Sequence, residues 1–486
     1  MFKEKFMFKK ISLIVLFLLS ACASAPKQDD IKIFQNGIGY LEAGNKELAL
    51  TSFEQACEKN VLAACLYLGK ELNPDETMTY AVMQGMTTVS STLINISVPS
   101  DLLPMVRLFD VTKGNFLPAK NVKKTVHRWE NEKGSVMEIE ISGLSPENTY
   151  RVELYSSPGI LDDYRLFKTL PKDLKELKIG LASCMSDEFM DVQKEMWKQF
   201  IALKPDIAFL IGDNTYADVI NGKYVGGVAN PKQIWMRHLE TRENLKFYHT
   251  RNLIPVFGTW DDHDYGFNNG DKTYEYKVES AEIFNMFFPY VKGKNTSKGP
   301  GLSYRFTLAG QHFYFLDARS FRDNYKNEKG THLGPEQEKW LFKDMKGLKG
   351  PIWLVKGDQY FGKYHKYESW ERYHPENFKA FLKKLKSEKD PALFVSGDRH
   401  LAEIMNLEKA LVGYPTYELT SSGIHSKVYA GSFAKEPNPR QLVGIDGEYN
   451  FMFIKSRTQG RGLMLDVTSF GLQDKVQFSR RLELKK

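Results

Sequence analysis

The feature that most constrains this chain is a series of short apolar runs, each broken by a residue able to do chemistry. LKIGLAS ends at Ser183-Cys184 and IAFLIGD at Asp213. LIPVFGTWDDHD ends at Asp261, Asp262 and His263, PIWLVKGD at Asp358, and ALFVSGDRH at Asp398 and His400. Such runs read as strands buried on both faces, as in a parallel sheet. Between several of them lie stretches of helical spacing: VQKEMWKQFIAL, AEIFNMFF, EQEKWLFKDMK and PENFKAFLKKLK. The alternation predicts an α/β domain over residues 175–486. In open α/β sheets, ligand sites form beyond the carboxyl ends of the strands. A single Asp there is commonly a helix cap or a turn residue. Carboxylate, thiol or imidazole delivered by strand after strand would gather several anionic groups in one crevice. Such groups repel one another unless cations are bound. The pattern therefore predicts a metal centre.

The segments before this domain differ in kind. Residues 29–75 carry apolar positions at helical spacing, and residues 79–170 turn to short alternating strands such as SSTLINISV, MVRLFDV and NTYRVELYS. At the N-terminus, Lys3, Lys5, Lys9 and Lys10 precede a short apolar run and then Leu19-Ser20-Ala21-Cys22. The run is too short to span a bilayer stably. Net charge is +7, from 67 basic and 60 acidic residues in 486. That excess is small for the length and no basic block is present, so a nucleic-acid surface is not expected.

Four resemblances sharpen this reading. Leu19-Ser20-Ala21-Cys22 resembles a bacterial lipobox, which implies removal of residues 1–21, lipidation of Cys22 and a membrane-anchored, exported protein, with the outer membrane of a Gram-negative cell favoured. FEQACEKNVLAACLYLG resembles a Sel1-like repeat, related to tetratricopeptide units. In such repeats paired cysteines bridge neighbouring helices, so a Cys57–Cys65 disulfide is expected, and a single unit is a spacer or a site for a protein partner. ISGLSPENTYRVEL resembles the Leu-x-Pro…Tyr signature of fibronectin III-like sandwiches. LASC, IGDNTYAD, TWDDHDYG, LDARSFRD, LGPEQEKWL, VSGDRH and ELTSSG resemble, in order, the alkaline phosphatase D (PhoD-like) family of calcineurin-type metallophosphoesterases. That likeness runs over about residues 177–470. It implies a double β-sheet sandwich flanked by helices, with the small β-sandwich and the helical repeat preceding it.

The family pattern also implies roles. Asp213 would bridge two metals, with Cys184, Tyr216 and His400 completing one site. Asp262, Asp358 and Asp398 would complete the other. Thiolate and phenolate suit Fe(III). An all-oxygen site favours Ca(II), or another hard ion such as Mg or Mn, over zinc. His263 would face the phosphate, with Asp264 orienting its ring. Arg319 either clamps phosphate or braces an internal Asp. His425 is a ligand or lies behind the ligands, and residues 365–374 form a lid or a surface segment.

The activity these roles imply is hydrolysis of phosphate esters by a water bridging the two ions and attacking phosphorus in line. A monoesterase is expected. A phosphodiesterase acting on lipids, wall polymers or nucleotides, and a non-catalytic lipoprotein scaffold, are the alternatives.

Overall fold

The computed structural model describes residues 26–74, 77–100, 102–220, 223–290, 296–297, 299 and 301–486. The leader over residues 1–21 and Cys22 lie outside the described residues. The chain divides into two compact units. One is a helical hairpin with a short third helix: Gln28–Glu42, Lys46–Glu58 and Leu62–Tyr67. Phe34, Phe53, Ala56 and Ala63 close its small core, with Phe53 stacked on Tyr67 at 4.8 Å. A disulfide joins Cys57 to Cys65.

The second unit begins with two four-stranded antiparallel sheets. One runs Ala81–Thr87, Thr92–Val98, Ser135–Ile141, Val122–His127, and the other Asn115–Phe116, Met105–Asp110, Thr149–Ser157, Ile160–Lys168. Ile94, Ile96, Ile139, Val152 and Leu154 fill the space between them. Tyr150 is buried, and its hydroxyl accepts from the Ser145 N–H at 2.7 Å, the corner expected of the Leu-x-Pro…Tyr signature.

The remainder is the α/β sandwich expected from the sequence. In the first sheet Val256–Thr259, Ile207–Ile211 and Leu177–Ala182 run parallel, followed by Phe451–Gln459, Gly462–Phe470 and Val476–Leu484 in antiparallel order. In the second, Gln311–Phe315, Ile352–Val355, Ala392–Ser396 and Thr416–Ser421 run parallel. Tyr304–Leu308 pairs at one edge, and Leu401–Leu407 with Gln441–Asp446 at the other, all antiparallel.

Alternation along each strand decides which side chain goes where. Ile207, Phe209 and Ile211 join the core between the sheets, with Phe313, Phe315, Val355 and Val395. Ala208 and Leu210 face outward, against helices Met190–Ala202, Pro231–Asn244 and Lys277–Phe287. Helices Pro335–Met345 and Pro375–Ser387 cover the outer face of the second sheet. The parallel strands of both sheets are thus buried on both faces, as uninterrupted apolar runs require.

Residues 365–374 are part surface and part core: Lys366, Tyr367 and Arg372 are exposed, while His365 is buried. Trp370 and His374 are fully buried, and Trp370 packs on the His332 ring at 5.1 Å and the Phe381 ring at 4.5 Å.

Candidate metal centre

The parallel strands end side by side, Leu210 level with Ala182 and Ile211 level with Thr259, so the residues that follow them meet. The meeting is close. A side chain at Gly212 would lie 2.5 Å from Asp261 Cβ, and one at Gly397 would lie 2.6 Å from the Ser183 hydroxyl. The second contact brings a strand end of one sheet onto a strand end of the other.

The backbone is strained at the same place. Cys184, Asp213, Asp398 and His400 have φ of 56°, 48°, 66° and 52°. A left-handed residue other than glycine costs on the order of 1–3 kcal/mol and survives where its surroundings dictate it. Four such residues in one crevice are better explained by the direction their side chains must take than by folding alone.

Ligand atoms of Cys184, Asp213 and His400 lie within 4.8 Å of one another. So do those of Asp213, Asp262 and His263, and those of Asp261, Asp262 and Asp398. The Tyr216 hydroxyl is 3.4 Å from Asp213 Oδ2. Ser422 ties two members together: its Oγ is 3.1 Å from Cys184 Sγ and accepts from the His400 N–H at 2.8 Å. His400 Nδ1 donates to the Lys427 carbonyl, which leaves Nε2 with its lone pair free, the arrangement of a metal-binding imidazole.

The electrostatics fit cations. Burial pushes the Cys184 thiol up to about 11, against the hydrogen bonds from Ser422 and Ser183. Burial also raises Asp213 and Tyr216 far above their ordinary ranges, and the Cys184 charge adds to both. Asp398 is pushed up to about 7 by burial, then by Glu368 and Asp262. Deprotonated together, these groups are stable only beside positive charge, and a bound cation is the simplest source of it. Burial lowers His400, keeping it neutral as a ligand must be.

Three expected roles change. Asp264 does not orient His263. It accepts from the N–H groups of Asp261 and Thr215, both at 2.9 Å, and so caps the short helix Asp262–Tyr265. The partner of His263 is Asp218, whose two oxygens lie 2.8 and 2.9 Å from Nδ1. Asp358 does not join the donors of Asp262 and Asp398. It is fully buried against Lys356 Nζ at 2.6 Å and His332 Nε2 at 3.0 Å, and Lys356 and His332 hold it well below the carboxylate range despite burial. Arg319 is no phosphate clamp. Its guanidinium is fully buried between Asp261, which it grips through Nε at 2.7 Å and through Nη2, and Glu368 at 2.5 Å. The brace reading is the one observed. His425 is likewise internal, accepting from Trp197 Nε1 at 2.9 Å and donating to the Ser186 carbonyl at 2.9 Å.

The model of the PhoD-like phosphatase family matches residues 179–466, more than half of the chain. The chain belongs to the PhoD-like phosphatase family. Alkaline phosphatase D of Bacillus subtilis (strain 168) is 25% identical over 315 residues, which are 54% of this chain and 51% of that protein. This PhoD-like chain thus spans about half the length of the curated relative it matches. A solved structure titled "Structure of PhoD" superposes with a TM-score of 0.62 at 18% identity, over 86% of this chain and 94% of that one, and so shares the PhoD fold.

Proposed function

We propose that the protein is a metal-dependent phosphoric-ester hydrolase. The observation that carries this is the convergence of Cys184, Asp213 and His400 from three strand ends of two sheets, beside Asp262 and the Asp218-bound His263. Cys184, Asp213, Tyr216 and His400 would hold Fe(III). Asp213, Asp262 and Asp398 would hold a hard divalent ion, Ca(II) before Mg or Mn, because their donors are all carboxylate oxygens. When bound, the ions supply Lewis-acid charge for the phosphate oxygens and acidify the attacking water.

The protein's own groups do the rest. Asp213 keeps the two sites in fixed relation through its two oxygens, one beside Cys184 Sγ and the other accepting from the His263 N–H at 3.3 Å. Ser422 fixes Cys184 and His400 together. The Asp218 carboxylate holds the proton on His263 Nδ1, which leaves Nε2–H of the protonated ring to donate to the leaving oxygen. Burial would lower the His263 pKa, but Asp262, Asp213 and Asp218 outweigh it and raise it well above the usual value. Of these three carboxylates Asp218 alone is not among the groups that would hold an ion, so its share of the lift remains when the ions are bound. The lipobox-like Leu19–Cys22 sequence supports export and anchorage of this activity at a membrane surface.

The test is metal analysis with a visible spectrum. Iron with a charge-transfer band, lost in Tyr216→Phe or Cys184→Ala, is expected, together with at least about a hundredfold fall in hydrolysis in Asp213→Asn. A colourless protein holding two zinc ions contradicts the assignment of the ions. Full hydrolysis in Asp213→Asn contradicts the reaction.

A further inference from the structure

The metal centre is ringed by three tyrosines that the reaction itself does not use. Tyr224, Tyr367 and Tyr429 are 53%, 49% and 49% exposed. Two lean on residues of the centre and the third on the residue between Asp398 and His400. The Tyr224 ring stands edge-on to His263, with centroids 6.0 Å apart. Tyr429 lies nearly parallel to the His400 ring at 5.7 Å. Tyr367 takes the Arg399 guanidinium on its face at 4.4 Å, and Arg399 sits in sequence between Asp398 and His400.

The three rings come from separate segments: the strand Lys223–Tyr224, the turn before helix Trp370–Tyr373, and the loop after His425. Tyr224 and Tyr429 are close enough that Tyr429 is among the groups raising the Tyr224 phenol, after burial and Asp218. Among the described residues none of the three hydroxyls has a hydrogen-bond partner. Scattered exposed apolar residues need no explanation, but three aromatic rings at one mouth do. Ile220, Val225 and Val228, each 42% exposed or more, extend the apolar surface beside Tyr224.

We infer that Tyr224, Tyr367 and Tyr429 form a stacking collar for the leaving group, and that the substrates are phosphate esters whose alcohol carries a flat aromatic ring, with a nucleoside monophosphate as the type. This rests on the hydrolase reading above. Tyrosine faces reward a planar π-system, because every nucleobase offers one, and free phenol hydroxyls suit a polar sugar between the ring and the phosphate. Arg399 adds a cation already stacked on one collar ring. A glycerol or alkyl phosphate would place nothing on these faces.

The experiment compares hydrolysis of AMP and glycerol 2-phosphate by the metal-loaded full chain and by two double variants. One is Tyr224→Ala with Tyr429→Ala, the other Tyr224→Phe with Tyr429→Phe. The unaltered protein is expected to favour AMP in kcat/KM by about tenfold or more. The alanine variant is expected to lose most of that preference through KM for AMP, and the phenylalanine variant to keep it, since stacking needs the ring. Equal kcat/KM for the two esters in the unaltered protein overturns the collar and leaves hydrolysis standing. So does a preference that the alanine variant retains. Absence of phosphate release from both esters overturns the collar, and if the diester bis(4-nitrophenyl) phosphate is not cleaved either, the hydrolase reading falls with it.

Discussion

Asp218→Asn separates the structure's account of the catalytic histidine from the one that sequence adjacency suggests. Asp218 is 1% exposed and both its oxygens lie within 2.9 Å of His263 Nδ1, so the bond is charge-assisted and shielded from water. An asparagine keeps the shape and can still accept from Nδ1–H, but removes the charge. A hydrogen bond to a charged group contributes about 1.5–3 kcal/mol and a neutral one about 1. The difference, about 0.5–2 kcal/mol, converts to a roughly 2- to 30-fold fall in kcat/KM if His263 must be protonated in the transition state. The pH profile gives the sharper readout. The His263 pKa is raised, so the protonated donor is fully present at low pH and is lost as pH climbs through that pKa. Removing the Asp218 charge lowers the pKa, and the alkaline fall in kcat/KM must move to lower pH. Asp264→Asn, which alters the helix cap and the bonds to Thr215 and Asn214 without touching the His263 ring, should leave that limb in place. A limb that moves in Asp264→Asn and stays put in Asp218→Asn refutes the assignment.

Two further outcomes follow from the same charges. Arg319→Met leaves Asp261 buried without its cation and Glu368 with Arg322 alone, and breaking a buried pair costs about 3–5 kcal/mol. Thermal unfolding should therefore shift down by several degrees or the protein should fail to fold, whereas an unchanged Tm with only a raised KM would restore the phosphate-clamp role. In metal-free protein, burial lifts Asp264 and Asp398 to about 7, so these two carboxyls hold more protons in the folded state than in the unfolded chain between about pH 4 and 7, and their own contribution to stability falls as pH rises through that window. Added calcium should therefore raise Tm more at pH 8 than at pH 5; equal gains at both would show that Asp398 is not a ligand.

Much of this architecture could be read from the sequence, and the physical reasons differ by element. The parallel strands were legible because burial on both faces forces unbroken apolar runs. The helix Pro231–Asn244 was not, although Asn230-Pro231 is a start signal: the Asn230 side chain accepts from the Gln233 N–H at 2.9 Å. The strand Leu401–Leu407 was hidden by Glu403 and Asn406, which interrupt its apolar pattern. Asp218 lay five positions beyond Asp213 with nothing in spacing to point it at His263. Asp264, by contrast, announces its true work: Asp261-x-x-Asp264 is the reciprocal cap of a helix start.

The hardest distinction is between like dipeptides. Gly212-Asp213, Gly357-Asp358 and Gly397-Asp398 each follow a buried strand, and sequence alone assigns all three carboxylates to the metals. Asp213 and Asp398 adopt positive φ and Asp358 does not. The left-handed step turns the first two toward the shared crevice. Asp358 keeps a negative φ in the bend that follows the strand Ile352–Val355, and Lys356, two residues earlier, captures it at 2.6 Å. Lys356 was visible in the sequence, and a cation at i−2 to a strand-end carboxylate is the sign that the charge is already matched. Backbone strain thus separates Asp213 and Asp398 from Asp358, while Asp262 reaches the crevice from the start of the helix Asp262–Tyr265 with no such strain. A left-handed carboxylate is kept at a cost where its direction is dictated, and relaxed where a lysine has already matched its charge.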